Sequence, residues 1–127
     1  MREREGIVML DLKGRITAGP EATAFREACQ QITGTPPQAI LNMLHVDYVD
    51  STGLGAMVLF ANTVRNAGGV SKLVHLNRRN LELLVLTRID TIFEVFDDET
   101  DAVNSFFPGR EVKRFDILSF VQKMRSE

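Results

Sequence analysis

Tryptophan is absent from the 127-residue chain, tyrosine occurs once (Tyr48), cysteine once (Cys29) and histidine twice (His45 and His75). Each shortage excludes a class of function. Few aromatic rings leave few platforms on which bases could stack. A net charge of -2, with the basic residues scattered, gives no electrostatic footprint for nucleic acid. A lone cysteine forms neither a disulfide framework nor a zinc site and fits a reducing cytoplasm. No charged-then-apolar leader opens the chain, and no apolar run approaches the roughly 20 residues that span a bilayer. The expected location is therefore cytoplasmic, without membrane insertion.

Cofactor and metal signatures are missing as well. Gly53-Leu54-Gly55 lacks the further glycine of a dinucleotide fingerprint, and no lysine follows it as in a phosphate-binding loop. The two separated histidines and Cys29 make no metal site. The run Asp97-Asp98-Glu99 is not spaced as a calcium loop and reads as a solvated loop or helix start. No cofactor and no metal are expected.

What is present describes one globular domain, with 44% hydrophobic and 25% charged residues at a length that can bury a core. Ile7 to Leu12 reads as a strand ended by a turn or bulge at Lys13-Gly14-Arg15. Pro20 opens a helix at the position where its missing N–H costs nothing, and Phe25, Ala28, Cys29 and Ile32 form its inward stripe. Cys29 on that stripe reads as a small core residue. Thr33 to Pro37 ends the helix. Ala39 to Leu44 has the aliphatic character of a strand covered on both faces.

Leu54, Met57, Val58, Ala61 and Val64 then recur at helical spacing as far as the stop at Gly68-Gly69. Leu59 and Phe60 fall outside this stripe, with burial the favoured reading and a partner surface the other. Val70 to Leu76 is a further strand. Asn77 caps a helix through Leu81, Leu84 and Val85, and Ile92 to Phe96 alternates like an edge strand. A helix carrying Ala102, Val103 and Phe106 is broken at Pro108-Gly109. Beyond it, Asp116 caps a short helix with Ile117, Phe120, Val121 and Met124 on one face. That stripe is expected to pack on its own domain, with docking on a second subunit the lesser reading.

The stretch Tyr48-Val49-Asp50-Ser51-Thr52-Gly53-Leu54-Gly55-Ala56 joins the buried strand to its helix. Asp50 is a natural N-cap, accepting a hydrogen bond from a first-turn N–H. Ser51 is then placed on the first turn near solvent, while Gly53 and Gly55 remove bulk from that turn. A phosphate on such a serine meets unpaired N–H groups and the positive end of the helix dipole. It also adds nearly two negative charges to an uncharged helix tip. Taken by chemistry alone, the same residues also describe an ordinary capped turn.

Val46 to Gly55 resembles the signature of the anti-sigma factor antagonist family, the bacterial STAS domains. Leu10 to Ile16, Gly68-Gly69 with Leu73-Val74, and Leu84 to Thr87 resemble flanking stretches of that family, and the likeness covers roughly residues 6 to 105. The resemblance implies an α/β fold, a small mixed sheet with about four helices packed against it. It implies a STAS domain over residues 1–107 and a C-terminal extension over 108–127.

The same resemblance implies that Ser51 is phosphorylated by a partner kinase and that Asp50, Ser51, Thr52, Gly53, Leu54 and Gly55 meet the partner. In such a switch the unphosphorylated protein binds an anti-sigma factor serine kinase, and phosphorylation ends the contact. ATP belongs to the kinase, a phosphatase resets the switch, and the protein is a monomer or weak homodimer. Three departures stand out: the first strand is shortened to Met1–Glu5, Arg88 replaces a frequent glycine, and the tail is extra. The alternatives are a STAS scaffold or regulatory subunit of a transporter or sensory complex and, remotely, a small serine hydrolase. The last lacks the Gly-x-Ser-x-Gly elbow, and its only available bases are His45 and His75.

Overall fold

The computed structural model describes residues 2–30, 32 and 36–126, with only the backbone of Glu21. Five strands form one sheet in sequence order. They are β1 (Arg2–Arg4), β2 (Ile7–Ile16), β3 (Gln38–Val49), β4 (Val70–Val74) and β5 (Glu94–Phe96). β1 runs antiparallel to β2, and the other three pairings are parallel. The parallel pairs are bridged by α1 (Pro20–Gln30), α2 (Ser51–Asn66) and α3 (Arg78–Leu86), the last followed by a 3-10 turn at Ile89–Thr91. Two further helices, α4 (Glu99–Asn104) and α5 (Ile117–Arg125), end the chain. The architecture is the mixed α/β arrangement that the resemblance implies.

Strand alternation sorts the core into two layers. Ala39, Leu41 and Met43 of β3 point toward α1, α2 and α3, where they meet Phe25, Met57, Phe60 and Leu84. Ile40 points the other way and joins Ile7, Met9, Val74 and Phe96 under Ala102 and Val103 of α4. A six-residue helix cannot cover that second face alone. Phe106, Phe107 and Val112 complete the cover, and the tail is tied down where Arg110 meets Glu5 at 2.9 Å and Arg114 meets Glu94 at 2.9 Å. Lys72, on the same face of β4, is buried between the rings of Phe96 and Phe106 and donates to Ser105 Oγ at 2.6 Å. Its burial pushes the ammonium pKa down, against the attraction of Glu94.

Several boundaries differ from expectation. β2 does not end at Leu12: it continues to Ile16 through register shifts at Asp11/Lys13 and Gly14/Arg15. The bulge is present, but it bends the strand instead of ending it. β4 stops at Val74, because His75 turns into the left-handed region at φ 61. β5 holds only Glu94 to Phe96, and Phe93 is buried ahead of it. α4 ends at Asn104, short of Phe106. Asp116 caps α5 as expected, yet none of that helix's residues is buried and its apolar stripe is only partly covered. The expected loop at 33–35 lies outside the described residues.

Arg88 now has a physical reading. It follows Thr87 at the end of α3 with φ 62, in the left-handed region where glycine carries no steric penalty. Arg88→Gly should therefore raise stability by up to about 1 kcal/mol, visible as a higher midpoint in urea unfolding.

The short β1 is held by ions. Arg2 bridges Asp11 at 2.7 Å and Glu99 at 3.1 Å, and Arg4 adds a contact to Glu99. The Arg2 hydrogen bonds are the main cause of the lowered carboxyl pKa values of Asp11 and Glu99. Their stabilisation is complete above the ordinary carboxylate range and is lost as pH falls through the lowered values. Arg2→Gln should cost at most about 1 kcal/mol at neutral pH, since these pairs are largely exposed. The gap in melting temperature between variant and wild type should close as pH falls from 6 to 2.

Candidate functional site

The site forms at the C-terminal end of β3, where the chain leaves Val49 and enters α2 at Ser51. Asp50 has extended backbone, and its Oδ1 accepts the Gly53 N–H at 2.8 Å. Its Oδ2 accepts the Ala18 N–H at 3.0 Å. One carboxylate therefore caps α2 and pins the β2–α1 loop to the same point. The Gly53 amide first, and the Ala18 amide second, hold the Asp50 carboxyl below its usual range. The Asp50 N–H adds a third tie, donating to Ile16 O at 3.2 Å.

Gly53 is the tightest point. A Cβ placed there would lie 1.8 Å from Ile16 O, a backbone atom that cannot give way. Gly55 is different: it is exposed, and nothing stands within 4 Å of where its Cβ would be. One glycine serves the fold of the chain, while the other leaves open surface beside the helix tip. Ser51 and Thr52 are exposed, Leu54 is buried, and Asp50 is half-buried.

A groove of about 280 Å³ opens beside Ser51, between the tip of α2 and the body of α3. Tyr48, Asp50, Ser51 and Leu54 line one side, and Arg79, Leu83 and Leu86 are on the other. Leu86 is 73% exposed, the most exposed of the large apolar side chains among the described residues. Arg79 lies over the Tyr48 ring, 4.5 Å from its centroid. Asn77 anchors α3 to this end of the sheet. Its Oδ1 accepts the Asn80 N–H at 2.8 Å, and its Nδ2 donates to Val46 O and Asp47 O. Asn80 also donates to Val46 O, at 3.0 Å, yet its buried Oδ1 has no hydrogen-bond partner.

The α3 wall of this groove was not foreseen from sequence. Asn77 as a cap was the available signal, because a cap at the end of β4 starts α3 beside the end of β3. Neither histidine lines the groove: His45 is exposed, and His75 is half-buried in the turn after β4. Leu59, favoured as a buried residue, is 59% exposed, whereas Phe60 beside it is buried against Phe25. Cys29 packs at the margin of the core, and burial pushes its thiol up to about 12, so it is protonated at neutral pH. Among the described residues no group of side chains could hold a metal ion, and no helix is long and apolar enough to cross a membrane.

The sequence model of the STAS domain matches residues 1–102, and the chain belongs to that family. STAS domains are in general regulatory rather than enzymatic. No curated protein sequence matches the chain significantly. Among solved structures, the fold is similar to that of a proposed anti-sigma factor antagonist from Thermotoga maritima. The TM-score is 0.73 at 22% identity, over 82% of this chain and 90% of that one. It is similar to a sulfate transporter family protein from Wolinella succinogenes, with a TM-score of 0.67 at 18% identity over 83% and 88%. The third is the anti-sigma factor antagonist SpoIIAA in its unphosphorylated form, with a TM-score of 0.58 at 17% identity over 87% and 96%. At these identities the likeness is one of fold.

The two glycines should respond oppositely to alanine. Gly53→Ala should cost at least about 3 kcal/mol, since the clash is with backbone. Gly55→Ala should be neutral or stabilising by up to about 1 kcal/mol, as expected at an open helix position. Denaturant melts of both variants measure this directly.

Proposed function

We propose that the protein is a bacterial, cytoplasmic anti-sigma factor antagonist that works by partner switching. Unphosphorylated, it binds an anti-sigma factor serine kinase through the α2 tip, with Asp50, Ser51, Thr52 and Gly55 in the contact and the buried Gly53 and Leu54 shaping the turn beneath them. The kinase ends the interaction by phosphorylating Ser51. In that step the Ser51 Oγ–P bond forms as the bond from the γ-phosphorus to ADP breaks, and the hydroxyl proton passes to a base on the kinase. A phosphatase restores the binding form. The chain itself carries out no catalysis and uses no cofactor.

The observation that carries this reading is the exposed Ser51 on the first turn of a sixteen-residue helix. The adjacent carboxylate of Asp50 is already committed to the Gly53 and Ala18 amides. A phosphate at that point is compatible with the helix dipole, so the free domain accepts it. Inside a contact the same charge loses water next to Asp50, an arrangement that can cost several kcal/mol. The open surface at Gly55 and the apolar Leu86 beside the tip support a docking role.

The similarity to a sulfate transporter family protein favours one second reading, a STAS scaffold or regulatory subunit in a transporter or sensory complex, with Ser51 never modified. The hydrolase reading gains no support from the groove at Ser51, whose lining includes neither His45 nor His75.

A cognate kinase with ATP should add one phosphate, and Ser51→Ala should abolish it, as read by intact mass and peptide mapping. Ser51→Asp should melt near the wild-type temperature yet bind the kinase at least ~10-fold more weakly, about 1.4 kcal/mol. Ser51→Ala should bind like the unmodified protein. Calorimetry that finds Ser51→Asp folded and binding as tightly as wild type would leave the scaffold reading.

A further inference from the structure

Among the described residues Arg79 is one of the arginines that pair with no carboxylate, and it is the one that lines the groove at Ser51. Among the described residues Arg2, Arg4, Arg78, Arg110 and Arg114 each form an ion pair. Arg79 is exposed, forms none, and rests on the Tyr48 ring. It shares one groove with Ser51. The nearby acids are engaged elsewhere: both oxygens of Asp50 accept backbone amides, and Glu82 accepts from Arg78 at 2.9 Å. Asn80, only 1% exposed, lines the same groove with an Oδ1 that has no partner.

We propose that Arg79 is the receptor for a phosphate on Ser51. Phosphorylation draws the guanidinium off the face of Tyr48 and onto the phosphate, so that the pair closes the groove between α2 and α3. This inference rests on the reading of Ser51 as a phosphorylation site.

The chemistry favours the exchange. An exposed guanidinium over a phenol ring is held weakly, whereas a two-pronged pair with a phosphate dianion is charge-assisted and directional. A guanidinium has five N–H donors, more than one phosphate engages, and Asn80 Oδ1 is the acceptor without a donor in that groove. Closure also covers Leu83 and Leu86, the apolar walls a partner would use. The modification then removes the docking groove as well as adding charge to its rim, a double effect that charge alone does not give.

Tyr48 provides a single-site readout, because it is the only tyrosine and no tryptophan is present. The test uses the full chain with phosphoserine installed at position 51 during synthesis, so that it does not depend on any kinase. Phosphoserine should change Tyr48 emission in the wild type and leave it unchanged in Arg79→Gln. It should also shift the Arg79 Nε–H resonance. Arg79→Lys, which keeps the charge and loses the planar fork, should give a reduced response. Both substitutions are at an exposed position and should fold normally.

Emission unaltered by phosphoserine, or altered equally in the wild type and Arg79→Gln, overturns the proposal. A kinase that fails to modify Ser51 would instead count against the function proposed above, and the synthetic phosphoprotein separates the two failures.

Discussion

The approach of Gly53 to Ile16 O is the constraint on which the functional end of the molecule depends. It brings the first turn of α2 against the last residue of β2, closer than any side chain allows. Once the helix is seated there, Asp50 lies between its own helix and the β2–α1 loop and can serve both amides at once. Ser51 is then directed to solvent by the same geometry that buries Gly53 and Leu54. The capping interaction and the tertiary contact are made by neighbouring residues of one turn, so the turn is tied to the sheet at several points.

The proposed switch draws on which groups on that turn already have partners. Each oxygen of Asp50 accepts a backbone amide, so the carboxylate is held in place and supplies fixed negative charge. Ser51 is exposed and uncharged. The surface around it is apolar on the α3 side, through Leu83 and Leu86, and cationic at Arg79. Under the proposed switch, a partner meets a small tip with apolar flanks, to which a single phosphate on Ser51 would add bulk and nearly two negative charges. The fold alone does not select this use, since antagonists and a transporter-family protein share it.

Much of this was legible because it is local. The caps at Asp50, Asn77 and Asp116 act within three residues of themselves, and the α2 stripe follows helical spacing. What escaped depends on distant parts of the chain. No pattern around Leu59 distinguishes it from Phe60, because burial is decided by the position of Phe25 on α1. Gly14 looks like the end of a strand until β3 is alongside to continue the ladder past the bulge. Arg79 meets Tyr48 only because α3 begins beside the end of β3, a juxtaposition set by crossover packing. The stripe of α5 was read correctly as amphipathic, but periodicity cannot say how much of it a neighbour covers.

The sheet is bounded on both sides by strands of three residues, β1 and β5. β1 consists of charged residues alone, and β5 begins with Glu94, which is paired to Lys72 and Arg114. Such short, charged strands are poor templates for another chain to extend, although β1 flanks only Ile7 to Met9 and leaves the rest of β2 without a strand on that side. At β1 and β5 themselves, strand addition and the edge-to-edge stacking that leads to fibrils are disfavoured. A partner that meets those borders reads side chains rather than backbone, and side-chain chemistry is what a single modified residue can rewrite.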